Sequence, residues 1–239
     1  MTTKLGLLND VQFRFLCPDD IDEVKRLCRE WFPIEYPDTW YKEITSNPRF
    51  FSLAATYCKS IIGLVVAEVK PRGNCNREDA GILGCSYDDD FQVAYILSIG
   101  VVEGYRRHKI GSLLLDSLLS NLTTPERHSC KAIYLHVLTS NMAAMRFYES
   151  RCFQRFRFLP LYYSINGVHH DGFLYVLYIN GGEPPWTLAY PLHTLHYAGS
   201  KLIQLQPCKL PMYLLNSLYH FFAWFAPVQS VRDSCVRTM

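Results

Sequence analysis

The chain has 239 residues, with 24 Lys and Arg against 22 Asp and Glu and a net charge of +2, so it is long enough for one well-filled domain plus an appendage. That balance lacks the basic excess of a general nucleic-acid binder, and no nucleic-acid partner is expected. Nine cysteines without a Cys-x-x-Cys pair argue against structural zinc and dithiol chemistry and fit a reducing compartment, and no metal is expected.

The N-terminal Met1-Thr2-Thr3-Lys4-Leu5-Gly6 lacks a secretory apolar core and a glycine at position two, so neither a signal peptide nor myristoylation is expected. Val11 to Leu16 alternates apolar and polar residues, the mark of a half-buried strand. Cys17-Pro18-Asp19-Asp20 then opens a helix with Ile21, Val24, Leu27 and Cys28 on one face, which Pro33 and Pro37 terminate. A short helix is predicted over about Asp38 to Ser46, followed by strands over Phe50–Tyr57 and Ile61–Val69. From Lys70 to Asp90 the chain turns polar and Gly-rich and reads as an exposed, solvated loop.

Ala94 to Val102 is an apolar, β-branched strand that breaks at a cationic turn, Glu103 to Gly111, and restarts as a leucine-rich helix from Ser112 to Leu119. The free N–H groups of that helix's first turn face Arg106, Arg107 and Lys109, a place suited to a phosphate. Lys131 to Val137 is a further strand, Asn141 to Arg151 a helix, and Phe153–Phe158 and Phe173–Ile179 the last strands. The order predicts an α/β fold, a mixed sheet of about seven strands flanked by helices.

Two motifs now become specific. Arg106-Arg107-His108-Lys109-Ile110-Gly111 follows the pattern Arg/Gln-x-x-Gly-x-Gly/Ala, and Asn141, Ala144, Phe147, Tyr148 and Glu149 follow Asn-x-x-Ala-x-x-Phe-Tyr-Glu. In this order and spacing they resemble the Gcn5-related N-acetyltransferase superfamily over roughly Val11 to Asn180. Trp31 to Asp38, Ala94 to Ser98, Tyr134 to Thr139 and Tyr175 to Trp186 are further similar to a Golgi-associated branch that acetylates the N-termini of membrane proteins.

The resemblance implies acetyl-CoA as co-substrate. It places Ile99, Gly100, Val101, Arg106, Arg107, His108, Lys109, Ile110, Gly111, Ser112, Asn141, Tyr148, Glu149, Ser150 and Arg151 against it. It makes Tyr95 and His136 the base pair and Tyr148 the donor beside the leaving sulfur. Glu35, Tyr36, Leu97, Tyr162 and Tyr163 would grip the peptide, the aromatics enclosing an initial methionine followed by varied residues. The chemistry suits a mild base, because an α-amine is roughly 10–25% neutral near pH 7.2 whereas a lysine is well under about 1% neutral. Lys109 departs from the motif's first glycine. If the position needs φ > 0 it costs roughly 1 kcal/mol, and if it is ordinary helix its ammonium can pair with a phosphate; retained cofactor binding is expected.

Residues 1–182 thus read as the catalytic domain and 183–239 as an apolar, amphipathic helical tail. Its segment Pro211 to Phe225 would run about 22 Å as a helix, short of a hydrocarbon core of about 30 Å. The resemblance points instead to peripheral attachment on the cytosolic face of the Golgi membrane. Two other activities stay open: acetylation of internal lysines, including those of histones, which an open groove at the Leu161–Asp171 hairpin would favour, and a catalytically weak CoA-binding interaction module at the membrane. The aromatic hairpin can also support a homodimer.

Overall fold

The computed structural model describes residues 10–185; the tail expectations lie outside the described residues. Seven strands form one sheet: β1 (Gln12–Phe15), β2 (Phe50–Tyr57), β3 (Ser60–Pro71), β4 (Gln92–Val101), β5 (Cys130–Leu138), β6 (Gln154–Ile165) and β7 (Val168–Tyr178). Their order is β1-β2-β3-β4-β5-β7-β6. Every neighbouring pair is antiparallel except β4 with β5, which makes the sheet mixed, as the sequence indicates.

Among the described residues four α-helices flank it: α1 (Ile21–Trp31), α2 (Asp38–Ser46), α3 (Ile110–Leu122) and α4 (Met142–Glu149). On one face α3 buries Leu114, Leu115, Leu118 and Leu122 completely against Val65, Ala67 and Ile133, at about 1.5–3 kcal/mol for each leucine. On the other, α1 and α2 bury Val24, Leu27, Cys28, Tyr41 and Ile44 against Leu64 and Val66. Because both faces are covered, β3 reads as a nearly unbroken apolar run.

The feature that makes a site is the divergence of β4 from β5. Their parallel pairing extends only from Gln92 with Cys130 to Tyr95 with Tyr134, although β4 continues to Val101 and β5 to Leu138. β5 stays with β7 through Leu138, and β4 stays with β3 through Val101. An extra residue in β4, Leu97, falls between the pairs Val66–Ser98 and Ala67–Ile96, and such a bulge bends its strand.

Two sequence expectations need correction. The segment 70–90 is not simply a solvated loop: Lys70 belongs to β3, and Asp79, Ile82 and Leu83 are buried. Ile82 and Leu83 anchor the loop in a third apolar cluster with Tyr134, Leu159 and Val176, while Tyr178 Oη donates to the Ile82 carbonyl at 2.9 Å. The triple Asp at 88–90 is exposed, as expected. The stretch expected to separate the last two strands is itself mostly strand, turning at Asn166 and Gly167, whose φ values of 52° and 76° suit a tight hairpin. Midway, Pro160, Leu161 and Tyr162 stand opposite Asp171 alone, and the Asp171 carboxylate accepts from Leu161 N–H at 2.8 Å.

The entry to α1 is fastened by charge. Arg14 makes two 2.7 Å hydrogen bonds to the buried Asp20 carboxylate, which also accepts from Cys17 N–H at 2.8 Å. The Arg14 guanidinium holds the Asp20 carboxyl down at about 2, below its ordinary 3.8. A depressed carboxyl contributes stability above its unfolded pKa and loses it as pH falls through the folded one. Because Arg14 is 42% exposed, the contribution is discounted for screening to about 1–2 kcal/mol. In urea titrations Asp20→Asn should lower stability by about that amount at pH 7, with the gap to the native chain closing between pH ~4 and ~2.

Candidate active site

Where β4 and β5 part, a cleft of about 1170 Å³ opens, walled by β4, β5, α4, the turn before α3 and the loop after α1. Its floor carries His136 on β5. The imidazole is only 2% exposed, whereas the residue as a whole is half-buried because its backbone lies along the parted edge. His136 Nε2 lies 2.9 Å from Asp79 Oδ1, and Nδ1 lies 3.1 Å from both Tyr95 Oη and Tyr162 Oη.

These partners orient the imidazole. A carboxylate oxygen accepts, so Nε2 supplies the hydrogen of the Asp79 bond and Nδ1 is left facing the two phenols. Tyr95 and Tyr162 are pushed well above the ordinary tyrosine pKa by burial first and by neighbouring negative charge second, so both remain donors at neutral pH. Tyr162 also stacks on the imidazole at 4.5 Å, and the three-residue bulge opposite Asp171 belongs to the same stretch of β6.

Asp79, which touches His136, is a residue of this site that the sequence alone did not point to. It is 1% exposed, and its second oxygen, Oδ2, is buried with no hydrogen-bond partner among the described residues. The available signal was the pair Ile82-Leu83 in an otherwise polar stretch, an apolar anchor that draws the neighbouring carboxylate inward.

Of the other expected residues, Ile99, Gly100, Val101, Arg106, Arg107, Lys109, Ile110, Gly111, Ser112, Asn141, Tyr148, Ser150 and Arg151 line the cleft, as do Tyr36, Leu97 and Tyr163. Glu35 is exposed and does not line it. His108 is turned to the Arg106 carbonyl at 2.9 Å, and Glu149 is engaged by Tyr175 Oη at 2.7 Å and by Arg155, so neither lines the cleft. Asn141 caps α4, its Oδ1 accepting from Ala144 N–H at 3.1 Å, which leaves its amide nitrogen as the donor for a ligand. Tyr148 is buried against Phe147 and Phe153, and burial raises its phenol. Tyr36 stacks on Trp40 at 4.2 Å in the loop wall, its phenol pushed up to about 12 by burial.

The far end of the cleft is cationic, with Arg106, Arg107, Lys109, Arg146 and Arg151. α3 presents its first N–H groups there, since the earliest N–H at this end to find a partner is that of Leu113, which bonds the Lys109 carbonyl. A Cβ at Gly111 would meet nothing nearer than 3.6 Å, so packing does not demand the glycine and the space it leaves belongs to the cleft. Free strand-edge amides, a helix N-terminus and clustered guanidinium groups suit a long ligand with amide and phosphate groups, as the expected acetyl-CoA has.

Lys109 decides its own question: φ is +64°, and Arg107 two residues earlier has φ +66°. The ordinary-helix alternative is therefore overturned, and the turn needs left-handed backbone that glycine adopts more readily. Since that strain is present with or without ligand, relieving it should act on stability. Lys109→Gly should raise the unfolding free energy by about 1 kcal/mol in urea while weakening acetyl-CoA severalfold at low salt by calorimetry; tighter binding would mean the lysine obstructs the turn.

Comparison with known proteins agrees with this geometry. The acetyltransferase (GNAT) family profile matches residues 21–152. N-alpha-acetyltransferase 60 of Danio rerio is 54% identical over 92% of this chain and 90% of its own length. The crystal structure of Arabidopsis thaliana NAA60 in complex with acetyl-CoA is 30% identical with a TM-score of 0.64, covering 72% of this chain and 99% of that one. The same plant protein in complex with a bisubstrate analogue gives a TM-score of 0.65 at 30% identity over the same shares. The chain belongs to the acetyltransferase (GNAT) family.

Proposed function

We propose that the chain is an N-terminal protein acetyltransferase that moves the acetyl group of acetyl-CoA onto the α-amine of Met-starting proteins. The observation that carries this reading is His136, buried at the floor of the parted strands, oriented by Asp79 and joined through Nδ1 to two cleft-facing phenols. The co-substrate supplies an acetyl group activated as a thioester. The β4 edge beyond Tyr95, the amide nitrogen of Asn141 and the first turn of α3 would hold it, with Arg106, Arg107 and Lys109 facing its phosphates.

Tyr95 receives the proton leaving the amine while its own hydrogen passes to His136 Nδ1. Asp79 stabilises the imidazolium so formed, and its single hydrogen bond fixes which nitrogen is bare beforehand. A mild base of this kind suits an α-amine far better than a lysine, whose neutral fraction is smaller by roughly two orders of magnitude.

The peptide enters between the aromatic wall of Phe32 and Tyr36 and the hairpin tyrosines 162 and 163. Polarizable rings around a methionine thioether support Met as the first residue. Tyr162 stacked on His136 makes the β6–β7 hairpin a cover over the base, which supports a chain end as substrate over an internal lysine. Membrane-protein N-termini as substrates, and a peripheral site on the cytosolic face of the Golgi, are what the resemblance implies, and the apolar segment Pro211 to Phe225 of the sequence supports the membrane part of that reading. The exposed Phe158, Leu161 and Val168 of the hairpin are the surface through which a homodimer would form.

Measuring CoA release with a Met-Lys peptide, an N-terminally blocked lysine peptide and no peptide separates terminal transfer, lysine transfer and a weak binding module. Release should be greatest with the first, and His136→Ala or Tyr95→Phe should reduce it at least about tenfold. Near-native rates in both variants would remove this pair as the base. Deleting residues 188–239 should move the protein into the soluble fraction of a cell lysate, and unchanged sedimentation with membranes would refute the anchor.

A further inference from the structure

Beside the cleft, β3 carries two charged side chains at the end where sequence reading passes from strand to loop. Glu68 and Lys70 are 9% and 8% exposed. Glu68 pairs directly with Tyr95 in the β3–β4 register and Lys70 with Val93, so both charges lie on the face of the sheet that carries Tyr95. Glu68 is in close contact with Arg49, and Lys70 Nζ stands 3.8 Å from its other oxygen, beyond hydrogen-bond length.

The ammonium of Lys70 therefore has one loose ionic partner and no hydrogen bond among the described residues. It lies instead 5.4 Å from the centre of the Tyr95 ring and 5.9 Å from that of Tyr134, and those two rings stack on each other at 4.8 Å. A buried cation is costly, and Arg49 already neutralises Glu68, so the pair with Glu68 alone does not account for it. What the ammonium reaches through space is the ring of the tyrosine that touches His136.

We infer that Lys70 is a positioning residue for acetyl transfer: through the ring faces of Tyr95 and Tyr134 it holds and polarises the Tyr95 phenol that relays the proton to His136. This rests on the proposed acetyl transfer. In that relay the amine N–H breaks and its proton bonds to Tyr95 Oη, as the phenolic O–H breaks and its proton bonds to His136 Nδ1. The amine electron pair forms the C–N bond to the acetyl carbon, and the C–S pair departs with the CoA thiolate. As the phenolic O–H breaks ahead of the arriving amine proton, the phenol oxygen gains negative charge, which Asp79 and Glu68 oppose and the Lys70 ammonium over the ring favours. Lys70 touches neither substrate; its effect passes through Tyr95.

The test is a cycle in the full-length chain, with Lys70→Met and Lys70→Arg each made alone and combined with Tyr95→Phe, read as kcat and KM for a Met-Lys peptide and as Kd for acetyl-CoA. Lys70→Met should lower kcat at least about tenfold with KM and Kd within about twofold, and Lys70→Arg should keep at least about a third of native kcat. With the phenol already removed by Tyr95→Phe, Lys70→Met should cost less than about twofold.

Equal fractional losses with and without the phenol, native kcat in Lys70→Met, or an equal loss in Lys70→Arg would each overturn the inference. If Lys70→Met does not fold, Lys70→Gln takes its place in the same cycle with the same outcomes. Native enzyme that releases no CoA with any peptide would remove the parent reading, whereas an active native enzyme indifferent to Lys70 removes this inference alone.

Discussion

The site depends on a failure of pairing. Two parallel strands that stayed together would close the sheet, and the backbone groups of Ile96 to Val101 and Leu135 to Leu138 would satisfy each other. Their separation leaves those groups without strand partners across the gap, a state tolerated only where water or a ligand can reach them. The neighbours enforce it. β3 and β7 keep their partners in register on either side, and the extra residue at Leu97 bends β4 away. One edge then offers amides to a ligand, while the other exposes His136 backbone and keeps its side chain covered.

Covering that side chain brings its own demand. A nearly inaccessible imidazole next to a nearly inaccessible carboxylate survives only if the pair is held tightly, because each is poorly solvated without the other. The loop carrying Asp79 is accordingly fastened at several points: Ile82 and Leu83 in an apolar cluster, Arg157 Nη1 to the Glu78 carbonyl at 2.8 Å, and Tyr178 to the Ile82 carbonyl. Arg157 and Tyr178 come from β6 and β7, and β6 also supplies Tyr162. The strands that cover the base therefore also hold the residue that orients it, so damage to the hairpin reaches His136 from two sides.

Much of the fold was legible because its elements are locally consistent. The leucines of α3 repeat at helical spacing, Asp20 and Pro18 mark the start of α1, and the apolar runs of β2 and β3 have no other economical use. The cationic turn and the pair Tyr95 and His136 were legible through motif order. Asp79 and Lys70 were not, since both sit in a polar stretch whose composition matches solvated surface, and burial there is decided by contacts with β4, β5 and β7 far away in sequence. Glu149 was misplaced for a related reason. It satisfies the motif, but Tyr175 and Arg155 on neighbouring strands claim its carboxylate.

Lys109 shows how the turn before α3 can depart from the motif and keep its shape. Its left-handed backbone is not held by the residue itself. Ile110 immediately after it is 1% exposed, and Gly63 on β3 brings backbone close enough that an added Cβ would stand 3.2 Å from Ile110 Cγ2 and 3.3 Å from Leu114. Before it, Arg106 Nε donates to the Val101 carbonyl at 3.0 Å, tying the turn to the end of β4. Fixed at both ends, the intervening residues take the conformation that closes the gap, whether or not glycine is present. A ligand's phosphates meet the amides of that fixed backbone, so a lysine there adds strain to the fold and charge to the cleft without redirecting the donors.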